Sequence, residues 1–425
     1  YPAIFKEPEM PSQANLAIDW RAGYGPIAHQ SETIERMQTL VHRMVAQGRV
    51  ADEASAHALL AAADRVACMA MSVVAHMTYA RRIDRSGCPL GSDDFKQTPE
   101  GHTGGSLNMV PAFVGYLLAN ALTGTTRGWL MGQGHCVAAI EAVNALTGDV
   151  SAAQRGRYDR SEAGLSRLIE DFYSYAIDKQ GRPAVPLGSH AGPNTAGAIS
   201  EGGYLGFAGL QYVHTPLPGE SLVAFLSDGA FEEQRGSDWA PRWWRAEDCG
   251  FAVPIMILNG RRIEQRTQIV QEGGAAWLAE DLRHNGFDPV IIDGRDPVAI
   301  AWAIVESEDT LSAFAAQSNR RYPVKFPYVI AETEKGFGFP GAATNAAHNL
   351  PLDGNPREHA QAREAFNAGA AALFVPEIEL ENALTVLANH GKNRRSRESE
   401  HPMALRHPAS PHLPMPAWAP TEVSG

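Results

Sequence analysis

Two short segments carry hard oxygen ligands at a spacing suited to a divalent cation. Ser227-Asp228-Gly229 follows the apolar run Leu222–Leu226, and Asn259-Gly260-Arg261 follows the apolar run Phe251–Leu258, with 29 residues between Gly229 and Asn259. If both runs are neighbouring strands, a carboxylate and a carboxamide meet in one crevice, where Mg²⁺ or Ca²⁺ can bridge a diphosphate. Gly229 lets backbone approach the phosphates, and a helix N-terminus after it adds N–H donors. The alternative is a pair of ordinary turns, since Asp-Gly and Asn-Gly are common turn pairs. Four histidines, His102, His135, His190 and His348, sit in Gly- or Pro-rich loops. Imidazole titrates near neutrality, so such a set can move protons on and off hydroxyls and stabilise developing alkoxides.

Elements that position these groups are legible between Ser221 and Lys335. Strands are expected at Leu222–Leu226, Phe251–Leu258, Pro289–Asp293 and Tyr328–Ala331, and helices at Ala275–His284 and Pro297–Glu308. Strand and helix alternate, and the strands are continuous apolar runs. The expectation is an α/β fold, a parallel sheet with helices on both faces. Ligands in such sheets lie beyond the carboxyl ends of the strands. Upstream, Ala51 to Arg82 reads as a helix capped by Asp52, Met109–Leu122 as an apolar helix, and Trp129 onward as a short strand entering a Gly-rich loop. Residues 1 to about 50 read as an irregular arm marked by Pro2, Pro8 and Pro11. The expected division is 1–90, arm and helical region packing on the core; 91–388, the diphosphate-binding α/β domain; 389–425, a Pro-rich tail or linker.

Composition narrows the class. A net charge of -12 leaves no basic excess for nonspecific nucleic-acid binding. The one dense basic run, Lys392 to Arg397, is followed at once by Glu398 and Glu400. Four cysteines without a CxxC pair fit neither a disulfide framework nor a zinc ribbon, and point to a reducing cytoplasm. No apolar stretch is expected to reach the roughly 18 residues that span a bilayer, and no signal peptide is seen after Tyr1.

The Asp-Gly/Asn spacing resembles the motif of thiamine-diphosphate enzymes, Gly-Asp-Gly followed about thirty residues later by Asn. Gly101-His102-Thr-Gly-Gly, Gly132-Gln-Gly-His135, Ser189-His190-Ala-Gly-Pro-Asn and Lys335-Gly-Phe-Gly with His348 follow in the order of the transketolase and phosphoketolase group, closest to phosphoketolase. The resemblance covers about residues 95 to 355. It implies the diphosphate-binding, N-terminal domain of that group, with thiamine diphosphate and Mg²⁺ (or Ca²⁺) as cofactors. It also implies metal ligation by Asp228, Asn259 and the carbonyl of Arg261. His102, His190 and His348 would face a sugar or sugar-phosphate substrate, with His135 among the catalytic histidines but nearer the cofactor. Gly203 would lie against the diphosphate with Gly229, Leu205 against the pyrimidine, and Lys335 near substrate. The implied reaction is transfer of a two-carbon unit from a ketose or ketose phosphate. The chain departs from the pattern at Ser227, at Cys136, at Tyr204 and in Arg261–Arg266, so substrate identity is not carried over.

In that group a glutamate from a separate pyrimidine-binding domain activates the cofactor, and no second strand–helix series here supplies it. The expectation is one subunit of a split enzyme, oligomeric, with a second chain carrying that domain. The alternatives are a fragment of a longer protein that carries the domain itself, the decarboxylating component of a 2-oxo acid dehydrogenase, or a noncatalytic module that kept the fold.

Overall fold

Alternation of side chains along two strands decides how the protein is layered. In the strand Phe251–Leu258, Val253, Ile255 and Ile257 enter one apolar cluster, whereas Ala252, Met256 and Leu258 enter another. Phe326–Glu332 divides the same way, with Val329 and Ala331 on one side and Phe326, Tyr328 and Ile330 on the other. Side chains of a strand point alternately up and down, so a sheet with both faces covered buries every residue of such a run. The computed structural model describes residues 19–150, 152–177, 179–181, 216, 218–234 and 244–391.

Five strands form the main sheet: β1 (Gly128–Met131), β2 (Ser221–Ser227), β3 (Phe251–Leu258), β4 (Phe287–Asp293) and β5 (Phe326–Glu332). All pairings are parallel and the order is β1-β2-β3-β5-β4, with Ala224 opposite Pro254, Ile255 opposite Val329, and Val290 also opposite Val329. The expected α/β class and parallel sheet are therefore present. Because β2, β3 and β5 are adjacent, the residues just past their ends share one rim. Asp228, Asn259 and Lys335 all lie there.

The helices are α1 (Ser31–Ala46), α2 (Glu53–Tyr79), α3 (Thr103–Thr123), α4 (Val137–Thr147), α5 (Glu162–Asp171), α6 (Asp228–Gln234), α7 (Ala275–His284), α8 (Pro297–Ala315), α9 (Ala360–Ala372) and α10 (Glu377–Leu387). Asp52 caps α2 as expected, its carboxylate accepting from Ser55 N at 2.7 Å. Asp296 caps α8 in the same way through Val298 N at 2.8 Å.

Two expectations need correction. The stretch before residue 50 is not irregular throughout, because α1 lies within it. Thr33, Met37, Leu40, Val41 and Met44 recur at helical spacing and are buried, while Glu32, Glu35 and Arg43 lie on the other face. The second correction concerns apolar length. Both α2 and α3 are long and apolar enough to cross a bilayer, and 94% of the qualifying window in each is buried inside the protein. The helices reach that hydropathy because they are packed on nearly all sides, α2 between α3, α4 and α10.

Candidate active site

Asp228 follows the last residue of β2 and begins α6, and its carboxylate is wholly buried. Oδ2 accepts from Gly260 N at 2.7 Å and from the Thr267 hydroxyl at 3.3 Å, whereas Oδ1 is shut off from solvent with no hydrogen-bond partner. Burial pushes this carboxyl up to about 6, against the opposing pull of the Gly260 N–H and the Lys335 charge. The turn after β3 is thus held directly against Asp228. Gly260 adopts φ +77°, a left-handed conformation that suits glycine. Asn259 Oδ1 accepts from Arg261 N at 3.1 Å, folding the carboxamide back over its own turn. The Arg261 carbonyl accepts from Lys335 Nζ at 3.1 Å. A Cβ at Gly229 would meet Arg262 Cβ at 3.4 Å and Arg262 Cα at 3.9 Å, ordinary van der Waals contacts, so the protein's own packing does not require glycine there.

Three of the four histidines converge. The ring centroids of His102 and His135 are 4.7 Å apart, those of His102 and His348 are 5.1 Å apart, and those of His135 and His348 are 6.1 Å apart. His102 immediately precedes α3, and its backbone N–H donates to the Tyr173 hydroxyl at 3.3 Å. Close approach of the His348 loop to α3 depends on Gly104, where a Cβ would sit 2.1 Å from the Ala347 carbonyl oxygen. The buried ammonium of Lys335 donates to His348 Nδ1 at 2.7 Å. An ammonium has no lone pair, so Nδ1 must accept, and the neutral ring carries its proton on Nε2. Burial, then the Lys335 charge and His102, hold His348 down at about 3. His135 is likewise held well below the usual range, chiefly by burial. These imidazoles are therefore neutral at pH 7, poised to donate or accept rather than to carry charge.

His190, Gly203 and Leu205 lie outside the described residues. Several neighbours were not singled out from sequence. Thr267 and Gly260 bind Asp228. Asn108 spans the rim, donating to Thr333 Oγ1 at 3.2 Å and the Glu334 carbonyl at 2.7 Å, and accepting from Gly336 N at 3.3 Å. Tyr173 sits behind His102. Glu232 accepts from Ile269 N at 2.7 Å. For Asn108 the signal was its place closing the Gly-rich segment after His102. For Thr267 and Tyr173 no spacing signal exists.

Comparison with known proteins places the chain in a family. The model of the XFP N-terminal domain matches residues 55–374. A probable phosphoketolase 2 of Lactiplantibacillus plantarum is 25% identical over 343 residues, 72% of this chain and 41% of that protein. A probable phosphoketolase of Streptomyces coelicolor is 28% identical over 301 residues, covering 64% of this chain and 36% of the relative. The chain thus spans about two fifths of the length of these relatives. Among solved structures, a transketolase mutant from Pichia stipitis matches 78% of this chain and 47% of its own, at 16% identity and a TM-score of 0.39. With its parallel sheet, its rim of Asp228, Asn259 and Lys335, and its family match over most of its length, the chain belongs to the XFP N-terminal domain family.

Proposed function

We propose that this chain is the diphosphate-holding part of a thiamine-diphosphate- and Mg²⁺-dependent enzyme that moves a two-carbon unit from a ketose or ketose phosphate. One observation carries the reading: a fully buried carboxylate oxygen, Asp228 Oδ1, without a partner at the carboxyl ends of a parallel sheet. An unpaired buried acceptor is costly unless a ligand completes it. The donor set is all oxygen, which suits a hard divalent ion. Asp228, Asn259 and the Arg261 carbonyl would hold that ion, and Gly229 and Gly203 would admit the diphosphate, with Leu205 under the pyrimidine.

When bound, thiamine diphosphate supplies the electron sink that lets a carbon–carbon bond beside a ketone break. The chain's own residues do the rest. His348, neutral and protonated at Nε2 while Lys335 holds Nδ1, is a hydrogen-bond donor to a substrate oxygen. His102 and His135 lie within one ring's reach of it and can pass a proton among substrate hydroxyls; His190 joins them in this reading. Lys335, buried between His348 and the Arg261 carbonyl, ties the histidine cluster to the cation turn.

The relatives are named phosphoketolases, which favours a sugar-phosphate donor with phosphate as acceptor over an aldose. We also propose that a pyrimidine-binding domain supplied by a second chain completes the site in an oligomer. We further propose a cytoplasmic location, a reading supported by four cysteines without a CxxC pair. Calorimetry with thiamine diphosphate and Mg²⁺, with the chain carrying the pyrimidine-binding domain present, tests the reading. Asp228→Ala should abolish Mg²⁺-dependent cofactor binding, and unchanged affinity would remove Asp228 from the metal site. Activity with 2-oxo acids but not ketose phosphates would instead favour the decarboxylating class.

A further inference from the structure

A cavity with a mixed polar and apolar lining lies away from the histidines, between α2, the loop 83–90 and α9. Its walls include Ser72 and His76 from α2, Arg85 from the loop and Asn367 from α9, with apolar surface from Leu90 and Phe374; its volume is about 60 Å³. Arg85 is 8% exposed, and both its terminal nitrogens are closed off from solvent without an acceptor. Most buried guanidinium groups sit against a carboxylate. Here the buried Arg127 shows the normal arrangement, donating to both oxygens of Glu308 at 2.7 and 2.6 Å. Leaving a buried cation unpaired costs several kcal/mol, so a chain that keeps one usually meets an anion there.

The loop is built rather than loose. Asn367 brackets Leu90 from both sides, Oδ1 accepting from its N–H at 2.9 Å and Nδ2 donating to its carbonyl at 3.1 Å. Asp84 Oδ1 accepts from the N–H groups of Ser86 at 3.0 Å and Cys88 at 3.4 Å. Arg85 N donates to Glu162 at 3.0 Å. The other charged and titratable groups near the cavity are already committed. The Asp84 carboxylate faces Arg82 at 3.4 Å as well as those N–H groups. His76 Nδ1 bonds the Ser72 carbonyl at 2.7 Å, and burial pushes this histidine down to about 4, so it is neutral. Arg85 is the one group lining the cavity that lacks a partner for its charge.

We propose that this cavity is a binding site for a small carboxylate with a short apolar body, its carboxyl group gripped by Arg85. A guanidinium fork matches two carboxylate oxygens, while Leu90 and Phe374 offer the apolar wall that a compact alkyl group fills and that inorganic phosphate does not use. The site is distinct from the cation turn at Asp228 and does not depend on the proposed reaction.

The test is the melting temperature of the full chain at constant ionic strength, titrated with 2-methylpropanoate, with inorganic phosphate, or with chloride as control. For the wild type, 2-methylpropanoate should raise the melting temperature saturably. Arg85→Met should lose that rise, yet melt at or above the wild type in chloride, because an unpaired buried charge has been removed. Absence of a rise in the wild type, or an equal rise in Arg85→Met, overturns the proposal. So does an Arg85→Met protein that melts below wild type in chloride, which would make the arginine structural. A rise that requires Arg85 but is produced by phosphate and not by 2-methylpropanoate overturns the carboxylate assignment.

Discussion

Replacing Asp228 with asparagine should stabilise the protein where no cation is bound and disable it where one is. The carboxyl sits at about 6 in the folded chain against an ordinary 3.8, mainly through burial. At about 1.4 kcal/mol per pH unit that gap is worth roughly 3 kcal/mol. A carboxyl raised on folding favours the native state fully below pH 3.8, and the benefit is lost as pH rises through about 6. Above that pH the fold carries a buried, half-satisfied charge. Asparagine removes the charge and can still accept from Gly260 N through its carbonyl, but brings two new N–H donors that cost about 1–2 kcal/mol if unmet. The expected net gain for Asp228→Asn is therefore about 1–3 kcal/mol at pH 8, falling by the same roughly 3 kcal/mol to parity or a net loss of up to about 2 kcal/mol near pH 4. With Mg²⁺ and thiamine diphosphate at about a hundred times the dissociation constant, the wild type gains about 2.7 kcal/mol and the variant nothing. Urea unfolding at several pH values between 4 and 8, with and without both ligands, reads all of this. A wild type whose stability tracks the variant's across the whole range would show that the carboxylate bears no burial cost. Equal protection of both proteins by the ligands would remove the residue from cation binding.

Other substitutions probe neighbouring elements. His29 bridges Asp296 through Nδ1 at 2.9 Å and Asp64 through Nε2 at 3.0 Å, and the carboxylates raise it to about 10. His29→Phe should cost about 3–5 kcal/mol by stranding two buried carboxylates, or roughly 3–6 °C in melting temperature for a chain of this size. Because this group is raised on folding, its contribution is complete below pH 6.5 and fades toward pH 10, so wild type and variant should converge in melts at alkaline pH. Lys335→Met removes a cation from His348, so the imidazole should titrate at higher pH than the present value of about 3, as followed by the NMR shift of its ring protons. A His348 resonance that does not move would deny the contact any electrostatic role. Gly104→Ala drives a methyl group against the Ala347 carbonyl and should lower stability by about 1–3 kcal/mol, with thermal melts as the readout.

Much of this architecture could be read before any coordinates. The apolar runs that became β2, β3 and β5 are buried on both faces, and continuous hydrophobicity is the pattern such strands require, whereas the edge strand β4 leaves Asp288 and Ile291 exposed. Asp52 and the Ala-rich stretch after it marked α2 with both ends nearly right. Asp228 and the Asn259 turn were placed at adjacent strand ends, and the hydrogen bond from Gly260 N to Asp228 brings them together. His102, His135 and His348 meet even though His135 and His348 lie 213 positions apart in the sequence. Other features left no local trace. The amphipathic face of α1 was obscured by the prolines before it, and α2 and α3 owe their hydropathy to all-round packing, which composition cannot tell from a lipid-facing helix. Nothing near His29 announces that Asp64 and Asp296, 35 and 267 positions away, will close around it. Pairing at that separation is a property of topology, not of motif.

That bridge bears on where the folding unit starts. His29 uses its two ring nitrogens on two different carboxylates, so the cluster joins them like a rivet. One carboxylate sits in the middle of α2, and the other is the residue that caps α8. The region shared with the family begins at residue 55 and excludes the histidine while including both of its partners. A protein trimmed to that region would keep the two acids and lose the counter-charge between them. Shortening to the shared core would thus unfasten the long α2 helix from the sheet-covering α8, and the segment around Trp20 and His29 must travel with any excised version meant to fold.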